Sequence, residues 1–271
     1  MNNSIEILRP HAVATQARVA LFDFDGTLSL IRSGWEDVMI PMMVECLLEL
    51  KTGETEEQLT EIVKEYVGRL TGKQTIYQMI ALCEEIEKRG GKPEDPLVYK
   101  HRYLDLLLAR IHGRLDDLRA GRVSPERWLV PGSRALLEGL KERGFKLFLA
   151  SGTDDKYVKD EASLLDVTRY FDGGVYGALD DYKSFSKAIL IKRLIDNAGF
   201  RGEEFLGFGD GYVEIENIKQ VGGVAVGIAS DEPECLKVND WKRNRLIGVG
   251  ADYIVPNYLA HRELFALLFP E

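Results

Sequence analysis

The sequence predicts an α/β protein, with a doubly wound parallel-sheet core and an all-helical domain inserted into it. The apolar run at residues 19–24 indicates a buried strand that leads into a turn at Gly26. Only helical periodicity follows, as far as about residue 130. Short apolar strands then alternate with helices from residue 131 onward, a pattern typical of a parallel sheet covered on both faces.

The inserted segment is predicted to be helical throughout. Apolar residues recur three and four positions apart in four stretches, at 35–50, 59–70, 75–89 and 96–119. Gly53 separates the first two of these stretches. Because nothing in the segment has the alternation of a strand, we predict a helical domain over residues 34–130.

The rest of the chain is predicted to form the sheet and the helices that cover it. Further strands are expected at 146–150, 174–176, 205–209, 224–228 and 252–255. Helices are expected at 133–143, 155–166, 184–198, 212–220 and 257–268. The strand at 19–24 has no partner except this sheet, so we predict a discontinuous core of residues 1–33 and 131–271.

Amino-acid composition and net charge limit the classes of protein to which this chain can belong. Apolar residues make up 45% and charged residues 29% of the 271, which is typical of a soluble globular chain. The net charge of −9 argues against a general binder of nucleic acid or of anionic membranes. The one basic cluster that stands out, Lys242, Arg243 and Arg245, is interpreted as the solvated end of a helix.

The cellular setting is also predicted from composition. The amino-terminal segment lacks the apolar stretch of a signal peptide, and no run is long enough for a membrane-spanning helix. Three widely spaced cysteines are expected to be buried free thiols in a reducing compartment. We therefore expect a cytoplasmic protein that binds neither membranes nor nucleic acid and that is a monomer or a homodimer.

Polar side chains follow three of the predicted strands. Asp23 and Asp25 come at the end of the first strand, Ser151 follows the second, and Asp210 follows the strand at 205–209. Lys187 lies near the start of the helix that precedes this last strand. In a doubly wound sheet, ligands bind at the carboxyl ends of the strands. We therefore expect these side chains to meet in one site.

The carboxylates of this group predict a metal site. Alternate side chains of an extended chain point the same way, so Asp23 and Asp25 can face one pocket. Carboxylates this close together need a cation or a shared proton. Asp210 and Glu214 extend the set to oxygen ligands only, which suits Mg²⁺ and not Zn²⁺. With the serine and the lysine as donors to an anion, the pattern indicates phosphoryl transfer.

These residues resemble the motifs of the haloacid dehalogenase superfamily. DFDGTL at 23–28 is similar to its first motif, DxDGT, and GDGYVE at 209–214 is similar to its fourth. Ser151 after LFLA and Lys187 resemble the second and third motifs, and the resemblance covers the whole α/β core. The helical insert lies where the family carries its helical cap of the C1 type. The resemblance therefore implies the family's Rossmann-like core and its phosphatase branch.

The resemblance also implies a role for each motif residue. Asp23 would attack phosphorus and form an aspartyl phosphate, and Asp25 would protonate the leaving alcohol and then activate water. Mg²⁺ would be held by Asp23, by the backbone carbonyl of Asp25 and by Asp210. Ser151 and Lys187 would bind the phosphoryl oxygens.

Two assignments stay open at this point. The fourth motif usually offers a second Asp where this chain has Glu214, which could bind the metal through water or hold Lys187. Lys183 also lies in the right region for the third motif. We prefer Lys187, because its position in the helical register and its spacing before Asp210 resemble those of the family.

Substrate-binding residues are less strongly indicated. Thr27, Gly152 and Thr153 belong to or adjoin the first and second motifs, and we expect them to bind the substrate. Arg32 follows the first motif closely. Lys73 lies in a loop that enters a helix, where a second polar or anionic group could bind.

The function predicted from all of this is Mg²⁺-dependent hydrolysis of a small phosphorylated metabolite, such as a sugar phosphate or a nucleotide monophosphate. An alternative is a phosphosugar mutase of the β-phosphoglucomutase type, which would keep the same aspartate pair. An alternative of another class is a non-catalytic binding or scaffold protein on the same fold. The retention of the expected nucleophile and metal-binding aspartate argues against the last.

Overall fold

A mostly parallel sheet lies at the centre of the computed structural model, which describes residues 5–270. In chain order the strands of this region are β1 (Glu6–Ile7), β2 (Val19–Phe22), β3 (Lys146–Asp154), β4 (Gly174–Ala178), β5 (Phe205–Gly209), β6 (Val224–Ile228) and β7 (Tyr253–Val255). They lie side by side in the order β1-β7-β6-β5-β2-β3-β4. All pairings are parallel except that of β1 with β7, which confirms the predicted fold class.

Helices fill the chain between the strands. Those of the described residues are α1 (Glu36–Leu48), α2 (Glu56–Leu70), α3 (Ile76–Lys88), α4 (Pro96–Arg119), α5 (Ser133–Glu142), α6 (Asp155–Leu164), α7 (Lys187–Ala198), α8 (Tyr212–Gln220), α9 (Asp240–Gly248) and α10 (His261–Leu268). From α5 onward, strands and helices alternate, as predicted except for α9, where no helix was expected. None of these helices is long and apolar enough to span a membrane.

The position of β2 in the middle of the sheet determines where polar side chains can meet. Its sequence VALF is buried along its whole length, as expected for a strand covered on both faces. It pairs with β3 on one side and with β5 on the other, so that Phe22 lies beside both Leu149 and Phe208. The carboxyl ends of these three strands are therefore neighbours, and polar residues at these ends can meet in one place.

The described residues divide into two compact units. One contains the residues up to Ser33 together with those from Leu115 onward, and the other is Gly34–Arg114. The helical unit thus ends earlier than the residue 130 expected from the sequence. Arg119, the last residue of α4, belongs to the first unit, where it pairs with Asp160 of α6 at 2.8 Å. The assignment of the insert as a cap stays a prediction.

Two elements of the core were not predicted. β1 is only two residues long and pairs Glu6 with Ile254 at the edge of the sheet. α9 has a single buried residue, Leu246, so that it lacks a recognisable apolar stripe. The side chain of Asn239 accepts a hydrogen bond from the backbone N–H of Lys242 at 3.0 Å and caps this helix. The basic cluster at 242–245 therefore lies inside a helix and not at its solvated end.

Candidate active site

A tight turn after β2 presents the aspartate pair. Gly26 has φ of +72°, which favours glycine, and a Cβ there would lie 2.3 Å from Oδ2 of Asp210. Any larger residue would therefore collide with the carboxylate that follows β5. Glycine lets the loop of Asp23 and Asp25 approach Asp210 closely, as the sequence predicts for residues at one sheet edge.

Asp23 is buried and paired with Lys187. The Nζ of Lys187 donates to Oδ1 of Asp23 at 2.8 Å, and both side chains are less than a tenth exposed. Lys187 is the first residue of α7, which is capped by Ser186. On its other side, its Nζ contacts Oε1 of the buried Glu214. The structure thus places Lys187 on the aspartate, whereas Lys183 is exposed.

Glu214 has no other hydrogen-bond partner among the described residues. Both of its carboxylate oxygens are buried, and its contact with Lys187 is their only ion pair there. Of the two roles open from the sequence, the structure places this side chain where it would hold Lys187.

Asp25 is held by hydroxyl groups of β3. Thr153 Oγ1 donates to Oδ2 of Asp25 at 2.7 Å, and Ser151 Oγ lies 3.4 Å from the same oxygen. The hydroxyl oxygen of Ser151 also accepts from the backbone N–H of Thr153 at 3.0 Å. The Oδ1 atom of Asp25 is buried and has no hydrogen-bond partner within residues 5–270. One carboxylate oxygen is thus fixed and the other is left for a ligand or a proton.

Arg32 belongs to this site through a second carboxylate. It forms a buried ion pair with Glu161 of α6, in which Nη2 lies 2.7 Å from Oε1 and Nε lies 3.1 Å from both oxygens. Its Nε is 4.0 Å from Oδ1 of Asp25. The guanidinium group is therefore engaged within the protein and lies near Asp25, and the substrate contact predicted for it stays a prediction.

Burial raises the pKa values of both aspartates of the first motif. Desolvation raises the pKa of Asp23 to about 6, against the opposing charge of Lys187 and with a smaller contribution from Asp210. Desolvation likewise raises the pKa of Asp25 to about 6, while Arg32 opposes the shift. Negative charge in this pocket is thus only partly compensated by the cationic side chains around it.

Asp210 is fixed from two directions. Its backbone N–H donates to Oγ1 of Thr27 at 2.9 Å, and its Oδ2 accepts from Nζ of Lys242 at 2.9 Å. Lys242 also donates to Oε1 of Glu232 at 2.6 Å. Thr27 is fully buried, and its carbonyl oxygen accepts from the hydroxyl of Tyr258 at 2.9 Å. Thr27 therefore positions Asp210, and the substrate contact predicted for it stays a prediction.

The acidic residues of the site are the candidate ligands of a hard cation. Within the described part of the chain, no three carboxylate, histidine or cysteine side chains converge on one point. Of the predicted metal residues Asp23, Asp25, Asp210 and Glu214, the last is paired with Lys187, and the metal-binding role of the set stays a prediction. The carboxylates of Asp23 and Asp210, which follow adjacent strands, fit Mg²⁺, which prefers oxygen ligands.

The remaining predicted substrate residues are located differently. Gly152 lies between Ser151 and Thr153 at the end of β3, next to the hydroxyl groups that hold Asp25. Lys73 is an exposed residue of the helical unit, and its Nζ lies 5.6 Å from the ring centroid of Tyr77. Its role as a substrate-binding residue stays a prediction.

Three residues that complete the site were not predicted to belong to it. Glu161, Glu232 and Lys242 come from α6, the loop after β6 and α9, and none belongs to a recognised motif. The positions of Glu232 and Lys242 offer one signal that could have identified them, because both residues follow β6, which pairs directly with β5.

The raised pKa values predict how stability changes with pH in the absence of metal. An aspartate whose folded pKa is about 6 binds more protons in the folded state than in the unfolded state between about pH 4 and about pH 6. Its contribution to stability is therefore lost as the pH rises through that window. We therefore expect the Tm of Asp25→Asn, relative to that of the wild type, to increase by about 4 °C as the pH is raised from about 4 to 7 in EDTA.

Asp172 provides the matched control for this measurement. Burial raises its pKa, but hydrogen bonds from Lys141 and from the backbone N–H of Leu147 outweigh that effect and lower the pKa overall. Asp172→Asn should therefore lie below the wild type in Tm by a nearly constant amount over the same range, because a lowered pKa changes stability only below about pH 4. Parallel Tm curves for the wild type and Asp25→Asn would contradict the raised pKa of Asp25.

Comparison with known proteins identifies the family of the chain and agrees with its fold. The model of a hydrolase family, described as haloacid dehalogenase-like hydrolase, matches residues 17–222. The match spans more than half of the chain and includes all the motif residues at the ends of β2, β3 and β5. The chain belongs to the haloacid dehalogenase-like hydrolases, which confirms the resemblance seen in the sequence.

Solved structures agree with the fold. A predicted phosphatase from Clostridium acetobutylicum is 19% identical with a TM-score of 0.58, over 92% of this chain and 98% of that chain. A predicted phosphoglycolate phosphatase from Haemophilus somnus 129pt is 16% identical with a TM-score of 0.57, over 92% and 98%. A family hydrolase from Deinococcus radiodurans R1, with bound phosphate and sodium, is 15% identical with a TM-score of 0.55, over 95% and 100%. Among curated proteins, no match was found.

Proposed function

We propose that this hydrolase cleaves phosphate monoesters of small metabolites, such as sugar phosphates or nucleotide monophosphates, with Mg²⁺ as its cofactor. The observation that carries the proposal is the buried Asp23 at the end of β2, paired with Lys187 at 2.8 Å. The ammonium group of Lys187 favours the charged, nucleophilic form of this carboxylate in a site that is shielded from water. Two of the similar solved structures are described as phosphatases, which supports the same chemistry.

In the first step, we propose that Asp23 is the nucleophile. One of its carboxylate oxygens attacks phosphorus, the bond from phosphorus to the alcohol oxygen breaks, and an aspartyl phosphate forms. Asp25 gives its proton to the departing alcohol oxygen. Its pKa of about 6 suits this task, since an acid that is partly protonated near neutral pH can donate efficiently.

In the second step, Asp25 acts in the opposite direction. Now ionised, it accepts a proton from water, whose oxygen attacks phosphorus and releases inorganic phosphate and the free carboxylate of Asp23. The hydroxyl of Thr153 fixes Oδ2 of Asp25 at 2.7 Å, which leaves Oδ1 to carry the proton. The Arg32–Glu161 pair limits movement of the carboxylate on that side.

The cationic and hydroxyl side chains would bind the phosphoryl group. Lys187 offsets the negative charge of Asp23 so that an anionic phosphoryl group can approach. Ser151 and Gly152 at the end of β3 would supply further donors. Mg²⁺, held by Asp23, the backbone carbonyl of Asp25 and Asp210, would neutralise charge on the phosphoryl oxygens when bound.

Other properties of the chain support a small soluble partner in a reducing compartment. The three cysteines are free and buried, and the net charge is −9. We propose on these grounds a cytoplasmic enzyme that acts on metabolites and not on nucleic acid or membranes, as a monomer or a homodimer.

Metal dependence tests this proposal. With p-nitrophenyl phosphate as substrate, we expect phosphate release in MgCl₂ and a loss of more than about 100-fold after treatment with EDTA. Excess Mg²⁺ should restore the rate. Hydrolysis that is unchanged by EDTA would refute the proposed role of the metal, and absence of hydrolysis with any of a panel of phosphorylated metabolites would favour a non-catalytic protein.

Product analysis separates hydrolysis from the mutase alternative. A phosphatase releases inorganic phosphate in proportion to the sugar phosphate consumed, whereas a mutase returns the phosphoryl group to another hydroxyl of the sugar. We expect stoichiometric phosphate from every substrate that is turned over. Isomerised sugar phosphate as the main product would support the mutase instead.

A further inference from the structure

Lys242 brings a cation into the proposed metal site from an unexpected direction. It lies on α9, yet its Nζ is 2.9 Å from Oδ2 of Asp210 and 2.6 Å from Oε1 of Glu232. Only 15% of its side chain is exposed. The lysine is therefore not a solvated surface charge but part of the acidic edge of the sheet.

The two carboxylates that Lys242 contacts, those of Asp210 and Glu232, have different roles. Asp210 follows β5 and is a member of the proposed metal-binding pair, whereas Glu232 lies in the loop after β6 and belongs to no motif. A Cβ at Gly26 would lie 2.3 Å from Oδ2 of Asp210 and 3.0 Å from Oε1 of Glu232. Both carboxylates thus converge on the same point beside the first motif, with the ammonium group between them.

We propose that Lys242 is an internal counter-cation that competes with Mg²⁺ for Asp210, and that Glu232 limits this competition by holding the ammonium group. The inference rests on the Mg²⁺ site of the proposed function. It assigns Lys242 and Glu232 as positioning residues that set the affinity for the metal, a role that no motif gives them.

The sign of each effect follows from charge. An ammonium group that bonds to Oδ2 of Asp210 withdraws that oxygen from a metal ion and repels a second cation nearby. Glu232 draws the same ammonium group toward itself and so weakens both effects. Removal of Lys242 should therefore strengthen Mg²⁺ binding, whereas removal of the charge of Glu232 should weaken it.

Isothermal titration calorimetry of the metal-free full-length protein with MgCl₂ measures the affinity for Mg²⁺ directly and does not depend on enzymatic activity. We expect Lys242→Met to bind Mg²⁺ on the order of tenfold more tightly than the wild type. We expect Glu232→Gln to bind it severalfold more weakly. Circular dichroism establishes that each variant is folded, and Glu232→Gln tests the proposal independently should Lys242→Met fail to fold.

The double variant tests whether Glu232 acts through the lysine. On the Lys242→Met background, Glu232→Gln should lower the affinity less than it does in the wild type, since there is no longer an ammonium group to hold. A loss of affinity as large in the double variant as in Glu232→Gln alone would show that Glu232 acts on the metal without the lysine and would overturn this part of the proposal.

Lys219 provides the matched control. Its Nζ forms a similar pair, 2.8 Å from Oδ2 of the buried Asp252. Asp252, however, precedes β7 and so lies at the amino-terminal end of the parallel strands, opposite the proposed site. Lys219→Met should leave Mg²⁺ affinity within about twofold of the wild type. Unchanged or weaker binding by Lys242→Met would overturn the inference, whereas absence of binding by the wild type would refute the proposed metal site itself.

Discussion

Asp23→Asn is expected to lower kcat for p-nitrophenyl phosphate by at least about 10⁴-fold, the scale on which loss of a catalytic nucleophile acts. The amide keeps the shape of the carboxylate but is a poor nucleophile toward phosphorus. Lys187 retains its contact with Glu214 in this variant, so we expect the protein to stay folded. Steady-state kinetics and thermal unfolding of the same preparation check both parts.

A second readout separates loss of the nucleophile from general damage to the site. Beryllofluoride with Mg²⁺ mimics a phosphoryl group on an aspartate and should raise the Tm of the wild type but not that of Asp23→Asn. Asp172→Asn, which removes a partly exposed carboxylate elsewhere on the core, should keep both the activity and the Tm gain. Substantial turnover by Asp23→Asn would exclude the aspartyl phosphate mechanism.

The residues around Asp23 were predictable from sequence because their signals are local. An apolar run predicts β2, and the residues directly after a buried strand must emerge at the edge of the sheet. The same reasoning predicted Ser151 and Asp210 beside Asp23, since β3 and β5 both pair with β2, although β3 continues past Ser151 to Asp154. Spacing within one short segment was sufficient in each case.

The partners of these residues were not predictable, since they depend on contacts between distant parts of the chain. Arg32 pairs with Glu161 across 129 positions, and nothing local indicates which of many glutamates would be chosen. Lys242 lies on a helix with one buried apolar residue, so neither the helix nor the direction of the lysine could be derived from periodicity. Buried ion pairs of this kind are specified by tertiary packing alone.

Lys187→Met is expected to destabilise the protein and to impair catalysis together. It would leave Asp23 and Glu214 buried and without their shared cation. Removal of one partner from a buried ion pair typically costs about 3–5 kcal/mol, because the charge that remains is uncompensated. We expect a fall in Tm of roughly 10 °C in EDTA and a loss of kcat of about 100-fold or more.

Two further variants show whether the cost comes from the uncompensated carboxylates. Adding Glu214→Gln to Lys187→Met removes one of the two charges and should recover part of the lost Tm without restoring kcat, since the phosphoryl group still lacks its ammonium partner. Lys183→Met serves as the control, because Lys183 is exposed and its removal should change stability by about 0.5 kcal/mol or less. A larger loss of kcat in Lys183→Met than in Lys187→Met would reverse the assignment of the third motif. The buried position of Lys187 between two carboxylates is the physical reason to expect the opposite.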